Sequence, residues 1–139
     1  MPIQSKTLHL RTKGNADMVD ITQQVAEVVT TCELKDGIVT IFTPSSTSAV
    51  TTIEYESGCL LDLRRLFDEI IDPERHYAHN ARWGDGNGHS HVRAALLGAS
   101  FTVPFTGKRL ALGTWQQIIL VDFDNRPRQR ELILQLIGE

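Results

Sequence analysis

The sequence predicts an α+β fold: a mainly antiparallel sheet curled as a sandwich or barrel, with two to three helices. Three observations lead there. Strand-like segments come in runs instead of alternating strictly with helices, the later ones are joined by hairpin turn signals, and a few apolar stripes recur at helical spacing. A chain of 139 residues suffices for one compact domain over 1–139 and is short for two.

The first strand is expected at Gln4 to Arg11, where Leu8 and Leu10 share one face and Thr7, His9 and Arg11 the other. A helix follows in DITQQVAEVVTTCEL, with Asp20 as N-cap, Gln23 completing a capping-box pair, and Ile21, Val25, Val28, Val29 and Cys32 as the apolar stripe. Asp36-Gly37 signals a turn before the β-branched strand IVTIF, and a second strand, AVTTIEY, comes after TPSSTS. CLLDLRRLFDEIID reads as a helix with Leu60, Leu63, Leu66, Phe67 and Ile70 inward and Pro73 beyond its end. A third helix is expected from His91 to about Leu97, N-capped by Ser90, closed by Gly98, and buried through Val92, Ala95 and Leu96. SFTVPF, the turn TGK and RLALGTWQQIILVDF read as a hairpin with a long second arm. The last strand, RELILQLIG, alternates Leu132, Leu134 and Leu136 with polar or outward positions.

A formal net charge of −3 gives no whole-molecule field for nucleic acid or an anionic membrane, so neither is expected as a partner. No apolar window approaches the eighteen or so residues of a membrane span, and Met1 to Arg11 alternates in polarity, unlike a signal peptide. Cys32 and Cys59 lack disulfide-framework or metal-type spacing and read as reduced thiols of a cytoplasmic protein.

The segment GDGNGHSHVRAALLG carries the chemistry. Gly86, Gly88 and Ser90 precede or open a helix, where loop amides and the helix dipole favour an anion. Arg93, in the first turn, either serves that anion or pairs with Asp85 or water. His89 and His91 stand one residue apart, and His76 and His79 arrive shortly before. His79, His89 and His91 would suit zinc or a similar borderline metal and leave a position open. Otherwise His91 caps the helix and His76 and His89 lie on the surface. Glu54 and Glu56 face the same way on a strand, as acid–base groups or as edge-strand charge. Arg126, Arg128 and Arg130 could hold phosphate or pair with Asp122 and Asp124.

STSAVTTIEYESG, YAH, GHSHVRAALLGAS, LALGTWQQIIL and an arginine opening the final strand resemble the YjbQ-like family of small uncharacterised proteins, from about Thr7 to Glu139. The resemblance implies an α+β fold, a homotrimer, sites near subunit contacts and bound metal in some members. Its label, secondary thiamine-phosphate synthase, implies a transferase joining a pyrimidine diphosphate to a thiazole phosphate. His79 matches the histidine of the family's YxH segment, His91 the SH histidine, Arg130 the final arginine, and Trp115 and Gln116 the Gly-Thr-Trp-Gln motif. Trp115 is expected in a core or interface, and Gln116 on a ligand or a subunit contact. Many members carry histidine where this chain has Ser46, and His89 is expected to replace that ring.

Three functions follow as expectations. A divalent metal, zinc by its imidazole ligands, would support hydrolysis of a small anionic or phosphorylated substrate. Gly86, Gly88, Ser90, Arg93, Gln116 and Arg130 would bind the anion, and Glu54 or Asp85 would accept the water proton. A thiamine-phosphate synthase-like transferase would use Mg²⁺, which prefers oxygen ligands. A trimer that binds a small anion without turnover is the third.

Overall fold

Four consecutive apolar residues, Ile118 to Val121, decide the layering, because a strand apolar on both faces has to be covered on both. The computed structural model describes residues 1–139. In chain order the elements are β1 (Ile3–Thr12), β2 (Asp17–Asp20), α1 (Thr22–Thr31), β3 (Gly37–Phe42), β4 (Ser48–Ile53), α2 (Ser57–Ile70), α3 (Ala78–Trp83), α4 (Gly88–Leu97), β5 (Ser100–Thr106), β6 (Arg109–Leu110), β7 (Gln117–Asp122) and β8 (Arg128–Gly138). Five strands form one sheet in the order β1-β8-β3-β5-β6, and three form another in the order β2-β7-β4. Every pairing is antiparallel.

The two sheets face each other. Val39, Ile41, Val103, Leu132, Leu134 and Leu136 of the larger sheet meet Val50, Ile118 and Leu120 of the smaller one, and α1 joins this core through Val25 and Val29. Ile119 and Val121 point the opposite way, into a second core with Phe67 of α2 and Ala94 of α4. The β2-β7-β4 sheet is therefore the middle layer. Its last inward-running residues, Asp122 and the nearby Asp124, carry their carboxylates into the interior, each about fully buried.

The α+β class and the antiparallel sandwich are as expected, with four helices in place of two to three. Asp20 ends β2, yet its carboxylate accepts from the Thr22 amide at 3.0 Å and the Thr22 hydroxyl at 2.7 Å, so it still serves the helix start. The expected long hairpin arm is broken. Gly107 and Lys108, both at positive φ, turn β5 into a two-residue β6, and the chain then crosses to the other sheet as β7. Leu66 and Ile70 of α2 are exposed rather than inward, as are Val92, Ala95 and Leu96 of α4. The rotation of α4 has a cause: Arg93 lies beneath it, donating from Nε and Nη2 to the Ile71 carbonyl at the end of α2 and from Nη2 to Asp68. Those polar contacts fix which face is buried.

Because β7 is sealed on both faces, Ile119→Ala and Leu120→Ala should each lower the unfolding free energy by about 2–5 kcal/mol. Urea denaturation measures this, and a cost below about 1 kcal/mol for either would show its face to be poorly covered.

Candidate functional site

Two short helices bring the histidines together. α3 ends at Gly84, whose φ of +74° is a left-handed cap, and α4 starts three residues after Asp85. Gly88 joins them closely. Its amide donates to Asn80 Oδ1 at 2.8 Å, and a Cβ there would sit 2.6 Å from the Tyr77 Cβ. With the helices pinned this way, the rings of His79 and His91 lie 4.4 Å apart between centroids, inclined at 53°.

His79 is held by its surroundings. Nε2 lies 3.0 Å from Asn87 Oδ1 and 3.2 Å from Asp85 Oδ1. The orientation of the Asn87 amide follows from its other end, where Nδ2 donates to the buried Asp124 Oδ1 at 3.3 Å. Two acceptors facing Nε2 mean that this nitrogen carries the proton. Nδ1 is then the lone-pair nitrogen of the neutral ring, free to bind a metal or accept a proton.

Behind the histidines lies an ion-pair network. Arg130 donates from Nε and Nη2 to the two oxygens of Asp122 at 2.7 and 3.0 Å, and from Nη2 to the Thr47 hydroxyl at 2.8 Å. Thr12 donates to the same Asp122 at 2.5 Å. Arg128 binds Asp124 through Nε at 2.8 Å and Nη2 at 2.7 Å. Burial alone would raise the Asp124 carboxyl, but the Asn125 amide, the Arg128 guanidinium and the Asn87 amide together hold it below its usual range. The open cleft in front has a volume of about 550 Å³, with His79, Asp85, His91, Arg128 and Arg130 among its walls. A neighbouring cleft of about 590 Å³ runs past His9, Arg11 and Glu131 and shares Ser45 and Arg130 with the first.

The profile of the family described as UPF0047 protein YjbQ-like matches residues 6–139. The chain belongs to the UPF0047 family. A UPF0047 protein of Methanothermobacter thermautotrophicus is 36% identical over 139 residues, covering 100% of this chain and 95% of that one. One from Archaeoglobus fulgidus is 37% identical over 130 residues, 94% of this chain and 98% of the other. Among solved structures, a Sulfolobus solfataricus protein described as a YbjQ-like protein of unknown function superposes with a TM-score of 0.94 at 33% identity, covering 99% of both chains. A hypothetical protein from Aeropyrum pernix gives 0.90 at 30% identity, covering 98% of this chain and 99% of its own.

Within this UPF0047 framework the cleft gathers some of the expected residues and leaves others out. His79, Asp85, His91 and Arg130 line it, and so does Ser46. His89 does not join them. It is 7% exposed, turned toward Tyr77 with ring centroids 6.2 Å apart, and its Nδ1 has no partner. It therefore does not stand in for a ring at Ser46. The expected anion cradle is not assembled either. Arg93 is engaged under α4 as described, Ser90 lies inside the helix and fully buried, and the cap position belongs to Asn87. Gly88 is needed for contact with Tyr77, and Gly86, at φ +70°, faces the Asn125 side chain. Gln116 folds its own loop, accepting from the Gly113 amide and donating to Thr52, while Trp115 is 70% exposed. Glu54 lies beyond the opposite end of β4 from Thr47, roughly 20 Å along extended chain.

The only three His, Cys, Asp or Glu side chains whose donor atoms all fall within 4.8 Å of one another are Glu54, Glu56 and Cys59. Their arrangement is explained by the start of α2, where the Glu56 carboxylate accepts from the Gly58 and Cys59 amides. The hydrogen bond to Glu56, burial and the surrounding negative charge push the Cys59 thiol up to about 11, so the thiolate a metal needs is disfavoured. Asn87 and Thr47 were not singled out in the sequence, whereas the alternative in which Arg128 and Arg130 pair with Asp124 and Asp122 is the one the structure shows.

Two outcomes test this geometry. Nitrogen-15 NMR of His79 should show the Nε2–H form in the neutral protein, and Asn87→Ala should shift the ring toward a mixture of tautomers. For His89, burial, reinforced by the Arg93 guanidinium, holds the imidazole below its usual value. The unfolded chain then binds the extra proton below about pH 6.5, so stability falls as pH drops through that value toward the lower folded one. His89→Phe should flatten the fall in Tm between pH 7 and pH 5, and an unchanged slope would assign the effect elsewhere.

Proposed function

We propose that this UPF0047 protein is a metal-dependent enzyme acting on a small phosphorylated or otherwise anionic substrate in the His79–His91 cleft. The observation that supports this most is the pairing of two imidazoles at 4.4 Å in an open cleft that also presents two arginines. The donor set suits a borderline metal such as zinc. His79, through Nδ1, and His91 would be nitrogen ligands, while Asp85 stays on the Nε2 side of His79 and orients its ring. It suits Mg²⁺ less, since Asp122 and Asp124 are already committed to Arg130 and Arg128 and leave no free oxygen cage. That donor balance favours hydrolysis over diphosphate transfer.

Each residue then has a task. Asn87 and Asp85 hold the His79 ring and direct its Nδ1 lone pair. The guanidiniums of Arg128 and Arg130, fixed on one side by buried carboxylates, turn their remaining N–H groups to an anion. Because each arginine is already paired with a buried aspartate, the cleft offers directed N–H donors with little net positive charge, which suits a singly or doubly charged group more than a polyanion. Asp85, half-exposed and beside His79, is the group placed to accept a proton. When bound, such a metal polarises a phosphoryl or acyl oxygen and lowers the pKa of water to about 7. Leu61, Leu66 and Ile70 of α2 and Val92 and Leu96 of α4 are exposed apolar residues. They offer apolar surface that the homotrimer implied by the family resemblance would cover.

Elemental analysis of protein prepared without an affinity tag, together with zinc titration, provides the test. Wild type and His89→Phe should bind zinc alike, while His79→Ala and His91→Ala should each weaken it at least tenfold. Chelation should abolish hydrolysis of p-nitrophenyl phosphate and zinc restore it. Equal zinc binding by wild type and both histidine variants would overturn the assignment.

A further inference from the structure

β8 pairs with β1 as far as Arg128, opposite Thr12, whereas β3 accompanies β8 only as far as Phe42, opposite Ile133. Hydrogen bonds at the far end of β8 show which way its backbone groups point. The Gly138 amide donates to the Pro2 carbonyl on the β1 side, and the Glu139 amide to the Asp36 carbonyl on the β3 side. Backbone groups alternate along a strand, so the even-numbered residues of β8 face β1 and the odd-numbered ones face β3. Continued by two residues, the register would set Pro44 opposite Glu131. Proline has no N–H to offer, and the chain has already turned away, with the Thr43 amide donating to the Ala99 carbonyl. The N–H and C=O of Gln129 and of Glu131 therefore have no backbone partner. Both residues line the cleft of about 590 Å³, together with Pro44 and Ser45.

A strand edge left unpaired is a ready template for another strand. We propose that this notch in the larger sheet binds an extended peptide segment of a partner protein, added antiparallel along Gln129 to Glu131, with an acidic side chain in the row of Gln129. Charge selects that side chain. Arg11 stands opposite Gln129 on β1 and lines the cleft, yet it pairs with no carboxylate of the chain. In the adjacent row His9 and Glu131 already meet at 3.7 Å. A carboxylate arriving on the same face as Arg11 supplies the missing counter-charge. The inference does not rest on metal binding at the histidines, although Arg130 and Ser45, shared by both clefts, put the peptide beside them.

Amide hydrogen exchange followed by NMR, on the full-length protein with acetyl-Thr-Val-Asp-Val-Thr-amide as probe, tests the assignment. Without peptide, the amides of Gln129 and Glu131 should exchange fast and that of Arg130, directed at β1, slowly. With peptide, both fast amides should become protected. N-methylation at the Asp nitrogen, whose N–H would face β8, should abolish the protection, and N-methylation at the next Val nitrogen should not. Replacing Asp by Lys in the peptide should weaken binding about threefold, the scale of one exposed ion pair, and Arg11→Gln should erase that difference. No protection by the peptide, or equal effects of the two N-methyl groups, would overturn strand addition. Equal binding of the Asp and Lys peptides by wild type would overturn the role of Arg11. Slow exchange of both amides in the peptide-free protein, lost on dilution to a smaller mass, would overturn the proposal by giving the notch to a second copy.

Discussion

Two carboxylates taken out of water hold the candidate site in shape. Asp122 and Asp124 end and follow the central strand of the buried sheet, and a carboxylate placed there is costly unless cations and donors meet it. They are met from four directions: Arg128 and Arg130 on β8, Thr12 on β1, Thr47 before β4, and Asn87 at the head of α4. Breaking one such buried pair by removing a single partner costs about 3–5 kcal/mol, against a total stability of about 5–15 kcal/mol for an ordinary domain. The constraint that satisfies the interior therefore also fixes the walls of the cleft.

This accounts for the position of the site. The sandwich supplies the rigid floor, because β7 and β8 are both central strands and cannot shift without disturbing a core. α3 and α4 supply the histidines from outside that floor, joined to it by the Asn87–Asp124 contact. The arginines are oriented before any ligand arrives, which lowers the ordering cost of binding one.

The fold was largely legible in the sequence because its signals are local. Period-two alternation gave β1 and β8, the helical stripe gave α1, and Gly107 gave the tight turn. Failures came where tertiary polar contacts outweighed pattern. The phase of α4 is set by Arg93 reaching the end of α2, which apolar spacing cannot reveal, and α3 is too short to show a period. In the site, His79, His91, Asp85 and Arg130 could be singled out by residue type and by family resemblance. His89 could not be separated from His91, since two residues apart share a side on a strand but diverge by about 200° on a helix. The segment is helix from Gly88 onward, and the rings part company.

Asn87 begins α4, carries the His79 contact on one end of its amide and grips Asp124 with the other. One side chain thus ties the buried carboxylate to the histidine, and a change there loosens both contacts at once.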